Sequence, residues 1–169
     1  MDYNRRLEIL KSSIGSNVNS ELKTISFELE DSLLLNNTIP VDAANFVIQI
    51  LSLAPLTSSG GIAHIFAALL SDWHKYDNEQ RSELLCVLKE NVSNFRDQGA
   101  IWALGDFVAR AYDPETAFKT FQAWLQCPDQ VCRDAGYFGC DVLLMSATLK
   151  DSFKLRIQNS LKKIPRDAT

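Results

Sequence analysis

Apolar residues recur along this chain at the three- and four-residue spacing of helices, and no segment alternates polar and apolar residues as a strand would. Residues 2–35 carry two such stripes on either side of a break at Gly15. Further apolar stretches follow over residues 41–148, and a last stripe covers residues 150–164. The pattern predicts an all-α chain of one domain, with about four antiparallel helix pairs and a C-terminal helix.

Local signals mark where several of these helices begin. Asp77 stands three residues before Gln80, which is a capping-box spacing. Asp113-Pro114 combines a residue that accepts from free helical N–H groups with a proline that lacks one. Pro128 is expected to start the following helix in the same way.

Three segments superpose at a constant offset of 36 residues and repeat the order small, aromatic, small: Gly61–Ala67, Asp97–Ala103 and Arg133–Gly139. A fixed period of this size is typical of stacked helical pairs, in which each unit buries its apolar face against its neighbours. A second alignment, at offsets of 38 and 37, relates Phe46 to Leu84 and Phe121. The aromatic positions of the first alignment are therefore expected to fill the core between hairpins: Phe66, Trp102 and Phe138.

This pattern resembles HEAT-like helical repeats over about residues 41–148, while residues 2–35 form a hairpin outside the repeat register. The resemblance implies a short right-handed α-solenoid whose second helices line a concave binding face. Residues 150–164 would then be a capping helix, because terminal repeats need a polar outer face. A compact irregular helical bundle remains the alternative.

Charge is divided unevenly. Residues 1–149 contain 11 basic and 19 acidic residues, for a net charge of −8, whereas residues 150–169 contain six basic and two acidic residues, for +4. An acidic body disfavours binding to a phosphate backbone and favours a cationic partner. The basic C-terminal helix is explained as a cap, with a nucleic-acid patch or a docking surface for the acidic body as alternatives.

The chain shows no secretory signal and no membrane-spanning run, so a cytoplasmic location is expected. Its four cysteines, Cys86, Cys127, Cys132 and Cys140, include no CxxC pair. Reduced buried thiols are therefore favoured over a disulfide framework.

A row of carboxylates is the first candidate binding feature. Asp72, Asp106 and Asp141 fall near the ends of the three second helices at spacings of 34 and 35 residues. Such a row would suit Lys or Arg side chains of a partner. The alternative is that these residues are solvated or capping carboxylates.

Trp102, Asp106 and Arg110 share one helical face, because they are spaced four residues apart. Core packing of Trp102 is the favoured interpretation, whereas an outward stripe would form an interface patch of the kind enriched in binding hot spots. The predicted partner-binding set is completed by three aromatic or acidic residues of the first and third repeats: Trp73, Asp134 and Tyr137.

Catalytic and metal-binding chemistry finds little support. His64 and His74 are ten residues apart, which is not the spacing that brings two imidazoles to one zinc ion. The segment Ser58–Gly61 lacks the frame of a phosphate-binding loop. No catalytic residue, metal or cofactor is therefore predicted.

These observations favour a non-enzymatic, monomeric protein that binds one basic protein partner, with no role for nucleic acid or a membrane. In size, charge and architecture the chain is similar to bacterial immunity proteins. That similarity implies neutralisation of a toxin, often a basic nuclease, by an acidic face that masks its active site. An enzyme resembling the helical-repeat DNA glycosylases, using Trp102, Asp106 and Arg110, is the first alternative, and a scaffold or adaptor subunit is the second.

Overall fold

The computed structural model describes residues 1–164. Within that range the secondary structure is entirely helical, with ten α-helices and no strand. Short 3₁₀ turns follow α5 at Trp73–Lys75 and α6 at Val92–Asn94. The helices are α1 Tyr3–Ser12, α2 Val18–Leu33, α3 Val41–Ser52, α4 Ala54–Thr57, α5 Ile62–Ser71, α6 Asn78–Asn91, α7 Gln98–Ala111, α8 Pro114–Leu125, α9 Gln130–Met145 and α10 Asp151–Leu161.

Aspartate side chains begin five of these helices. Asp77 and Gln80 form a complete capping box at α6, and Asp113 accepts from two backbone N–H groups ahead of Pro114 at α8, so both predicted starts are confirmed. At α9 the cap is Asp129 and not Pro128. The remaining two are Asp2 at α1 and Asp97 at α7. Part of the acidity of the chain therefore serves helix starts, where a carboxylate meets the positive end of the helix dipole.

The packing of the helices follows their order in the chain. α2 packs on α5, α5 on α7 and α7 on α9, while α1 packs on α3 and α3 on α6. α8 packs along α9, and α10 also contacts α9. Within residues 1–164, α2, α5, α7 and α9 therefore form one series of contacts, and α1, α3 and α6 form a second.

Buried residues of the second helices recur every 35 residues. Ile65, Ala100 and Ala135 correspond at this offset, as do Leu69, Leu104 and Gly139, and all six are buried. The offset of 36 in the amino-acid pattern is one residue longer. One residue turns a side chain by about 100° around a helix, so the two registers place different residues in the core. Phe46, Leu84 and Phe121, which the second alignment relates to one another, are all buried.

A joint around Trp73 connects the segment after α5 to α6 and to the end of α7. The Trp73 indole N–H donates to the carbonyl of Ala111, and the Arg81 guanidinium lies 5.3 Å from the centroid of the Trp73 ring. Arg81 also donates to the Trp73 carbonyl at 2.8 Å, and the Tyr112 hydroxyl donates to the Arg81 carbonyl at 2.8 Å. Side-chain donors therefore bind main-chain acceptors after α5, near the start of α6 and at the end of α7.

Candidate functional site

The outward surface of α7 and α9 carries most of the predicted partner-binding residues. We call this surface the α7–α9 face and define it by residues of the two helices: Trp102, Asp106 and Arg110 on α7, with Asp134, Tyr137, Phe138, Asp141 and Met145 on α9. The two helices pack directly against each other. Their side chains therefore form one continuous surface.

Trp102 belongs to this face and is 49% exposed. Its ring stacks on Phe138, with centroids 5.8 Å apart and an interplanar angle of 18°. The expectation that Trp102 fills the core is therefore wrong, and the outward alternative describes its position. The cause is the 35-residue burial register, in which Ile101 and not Trp102 takes the place of the buried Phe66.

Two glycines bring α9 close to its neighbours and so place Phe138 beneath Trp102. A Cβ on Gly105 would lie 2.9 Å from Cδ1 of Phe138 and 3.0 Å from the backbone nitrogen of Gly139. A Cβ on Gly139 would lie 2.3 Å from the ring of Phe121. Larger residues at these positions would separate α7, α8 and α9.

The charges of the face are only partly compensated. Asp106 accepts a hydrogen bond from Arg110 at 2.9 Å, and this pair is largely exposed. Asp134 accepts from the amide of Gln130 at 2.6 Å. No ion pair within residues 1–164 involves Asp141. The face thus carries a net negative charge on α9 beside an internal ion pair on α7.

Cys140 lies next to Asp141 on the buried side of α9. Burial raises the pKa of the Cys140 thiol to about 12, and the neighbouring carboxylate adds to the shift. This thiol is fully buried and stays protonated. It is therefore a core residue and not part of the exposed face.

Asp72 and Trp73 lie outside the α7–α9 face. Asp72 pairs with Lys75 at 2.7 Å, with 13% and 11% of the two side chains exposed. Lys75 in turn donates to the carbonyl of Leu33 at 2.9 Å, at the end of α2. Asp72 is held in this contact and Trp73 in the joint described above, so Asp72 does not join Asp106 and Asp141 as an exposed carboxylate.

Tyr137 is half-buried, and its hydroxyl is a buried polar atom that finds no hydrogen-bond partner within residues 1–164. Buried polar groups normally have a partner. Tyr137 is expected at the binding surface as an aromatic residue, but its unsatisfied hydroxyl could not be predicted from the sequence.

Phe138 and Met145 are members of the face that sequence reasoning did not select for binding. Phe138 was expected in the core but is only half-buried, because it supports Trp102 from the outer edge of α9. Met145 is 78% exposed at the end of the same helix. Phe138 lies four residues after Asp134 and three before Asp141, and Met145 lies four residues after Asp141. This helical spacing would have predicted that both residues share a face with the two carboxylates.

Other chemical groups lie apart from this face. His64 and His74 are both exposed, and no three His, Cys, Asp or Glu side chains of residues 1–164 are arranged to hold a metal ion. Cys86 is also exposed, which corrects the expectation that all four thiols are buried. A cavity of about 630 Å³ lies between α1 and α2, beside the Arg6–Glu28 ion pair. No helix in the described part of the chain has the length and apolarity to cross a bilayer.

Comparison with known proteins does not identify the chain. No protein-family model matches it. Likewise, no curated protein and no solved structure matches it.

Proposed function

We propose that this chain is a non-enzymatic protein-binding protein that contacts its partner through the α7–α9 face. The observation that carries the proposal is Trp102, a large aromatic side chain that is half exposed and held flat by Phe138. Tryptophan in such a position supplies contact area at low entropic cost and is enriched in binding hot spots. Met145 extends the apolar area along α9.

The proposal includes the stacked architecture. We infer that the helix pairs form a short right-handed α-solenoid and that α10 caps its end. Support comes from the ordered packing of α2, α5, α7 and α9. Hydrogen bonds between hairpins give further support, since they join residues about one repeat apart, as in the Gln122–Ser160 contact.

Charge favours a basic partner. Asp134 and Asp141 lie on the same outward side of α9, and residues 1–149 together carry a net charge of −8. A negative field of this kind steers a cationic protein into encounter and raises the association rate more than the final affinity. The Asp106–Arg110 pair would supply orientation, because it presents both signs of charge beside Trp102.

Within this class, the finer proposal is an immunity protein that neutralises a basic, nuclease-type toxin. The carboxylates of Asp134 and Asp141 would occupy the cationic cleft that normally binds phosphates, and Trp102 would cover its apolar rim. Masking the cleft requires no chemistry from this chain. The glycosylase alternative has less support, because Asp106 is held by Arg110 and the larger cavities lie elsewhere.

The test is co-expression with any candidate toxin domain found encoded next to this gene, followed by measurement of the dissociation constant. Trp102→Ala is expected to weaken binding about 30-fold, the size of a hot-spot loss of about 2 kcal/mol. Asp141→Lys should slow association, and the difference from wild type should shrink as salt is added.

Matched controls are available on α3 and α6, which pack against each other. Val41 of α3 is 68% exposed, and Glu83 of α6 is also exposed. Val41→Ala and Glu83→Lys should leave affinity unchanged. Continued killing by the toxin in the presence of this chain would reject the immunity role, and equal effects of these control variants and the α7–α9 variants would reject this face as the interface.

A further inference from the structure

The outward side of α2 carries exposed apolar residues. Phe27 is 56% exposed, and Leu34, which follows the helix with helical backbone angles, is 72% exposed. Leu34 lies seven residues after Phe27, which is about two helical turns, so both lie on one side of α2. α2 packs on α5, and its other side holds the buried residues Leu22, Ile25, Leu29 and Leu33. α2 therefore has one buried side and one apolar side in contact with solvent.

Charged residues on this outward side are placed symmetrically about Phe27. Lys23 lies four residues before Phe27 and Asp31 four residues after it, and both are exposed. No ion pair within residues 1–164 involves either of them. Thr24 and Glu30 lie three residues before and after Phe27 in the same way. A second copy of α2 that runs in the opposite direction would therefore bring Lys23 to Asp31 when Phe27 meets Phe27.

We propose that two copies of this chain associate through α2, with the two helices antiparallel and related by a two-fold axis at Phe27. Such an interface is isologous, so each contact away from the axis occurs twice. Phe27 packs against Phe27 of the second copy, where the aromatic pair adds to the apolar area that is buried. Lys23 of each copy faces Asp31 of the other, and Leu34 of each covers the turn that contains Ser20 of the other.

Charge identifies a second copy as the occupant of this side of α2. An anionic bilayer surface attracts Lys and Arg, whereas the surface around Phe27 presents Glu30 and Asp31 against the single Lys23. The same surface supplies both the cation and the anion of the pair, which makes it complementary to itself about a two-fold axis. α2 contributes no residue to the α7–α9 face, so this contact is independent of what that face binds.

The contact is small. From Ser20 to Leu34 the helix rises about 21 Å. One helix face of this length, about 10 Å wide, covers less surface than the roughly 1,200–2,000 Å² of a stable interface. The dimer is therefore weak and forms at high protein concentration. The monomer expected from the sequence would be the form present in dilute solution.

Analytical ultracentrifugation of the full-length chain tests the proposal. The chain has a mass of 19.0 kDa. Between about 10 µM and about 1 mM protein, a range that covers weak association, we expect the weight-average mass to rise toward twice this value. Added salt should weaken the association only about 2- to 5-fold, because exposed ion pairs contribute little beyond the apolar contact.

Charge-swap variants separate this interface from non-specific association. Lys23→Asp places like charges opposite each other at both ends of the contact and should raise the dissociation constant about 10-fold. Asp31→Lys alone should weaken association in the same way, whereas both substitutions in one chain restore opposite charges and should restore the dimer. Phe27→Asp should abolish it. The matched controls are Leu155→Asp, at an α10 side chain that is 55% exposed, and Lys89→Asp, at an exposed lysine of α6, and both should associate like the wild type.

The proposal is overturned if the mass stays at 19.0 kDa throughout this range, or if the double charge-swap variant associates no better than Lys23→Asp alone. Equal losses for Leu155→Asp and Phe27→Asp would also overturn it, because the contact would then not be specific to α2. Binding of the monomeric chain to phosphatidylcholine vesicles, lost in Phe27→Asp, would assign this side of α2 to a membrane instead. Circular dichroism checks that each variant is folded, as expected for changes at exposed side chains.

Discussion

Gly139→Ala tests how closely α9 is held against α8. The added Cβ would lie 2.3 Å from Cε1 and Cζ of Phe121, whereas carbon atoms in contact normally stay about 3.5–4 Å apart. Phe121 is fully buried and contacts Trp124 with ring centroids 5.7 Å apart, so its ring has no solvent to move into. The ring or the helix must therefore shift by about 1.2 Å or more to restore ordinary contact.

The magnitude follows from two opposing terms. Overpacking of this kind costs about 1–3 kcal/mol, while replacing a helical glycine by alanine gains up to about 1 kcal/mol of helix propensity. We expect a net loss of about 1–2 kcal/mol in the free energy of unfolding. For a domain of this size the loss lowers the melting temperature by about 2–8 °C.

Chemical denaturation monitored by circular dichroism measures the change, and two further variants sharpen it. Gly99→Ala is the matched control, because its Cβ would meet only the Asp97 carboxylate, at 3.0 Å; it should be neutral or slightly stabilising. Phe121→Leu should partly rescue Gly139→Ala, giving a double-mutant coupling of about 0.5–2 kcal/mol. Full stability of Gly139→Ala, or strict additivity with Phe121→Leu, would refute the close α8–α9 contact.

The remaining predictions concern the exposed face, the Asp72 contact and alkaline pH. Trp102→Ala should lower the free energy of unfolding by only about 1–2 kcal/mol, since the ring is half exposed and stacking on Phe138 contributes about 0.5–1.5 kcal/mol. A loss above about 4 kcal/mol in urea denaturation would show that Trp102 is a core residue. Asp72→Asn should lower the free energy of unfolding by about 2 kcal/mol, because the largely buried Lys75 ammonium loses its counter-charge. Asp106→Asn, at an exposed pair, should cost less than about 1 kcal/mol in the same assay. Burial raises the pKa of the Tyr112 phenol above its ordinary 10.0, so its contribution to stability is complete below about pH 10 and is lost as the pH rises further. Denaturation midpoints should fall above that pH, and Tyr112→Phe should flatten the fall; an identical slope in the variant would contradict the assignment.

Much of the local structure could be predicted from the sequence, because its causes are local. Asp77 with Gln80 and Asp113 with Pro114 act within one helical turn, and both starts are found where their spacing placed them. The all-helical character follows from apolar spacing over longer stretches. The helix start predicted from Pro128 is off by one residue, because the side chain of Asp129 caps α9.

The candidate face could be predicted only in part, because it depends on rotation about each helix. The small-aromatic-small pattern repeats at an offset of 36 residues, whereas burial repeats at an offset of 35. This difference of one position decides whether Trp102 faces the core or solvent. Asp72 and Lys75 are only three residues apart, but the hydrogen bond from Lys75 to the Leu33 carbonyl joins segments 42 residues apart. Such a contact leaves no trace in a single sequence.

The polar ties between hairpins each span roughly one repeat, from Asn19 with Gly61 near the N-terminus to Glu115 with Arg156 near the other end. Each of these hydrogen bonds therefore couples only segments that are near neighbours in the order of the helices. If the helix pairs stack as proposed, a perturbation at α1 reaches Trp102 only through two successive interfaces between hairpins and reaches Asp141 only through three.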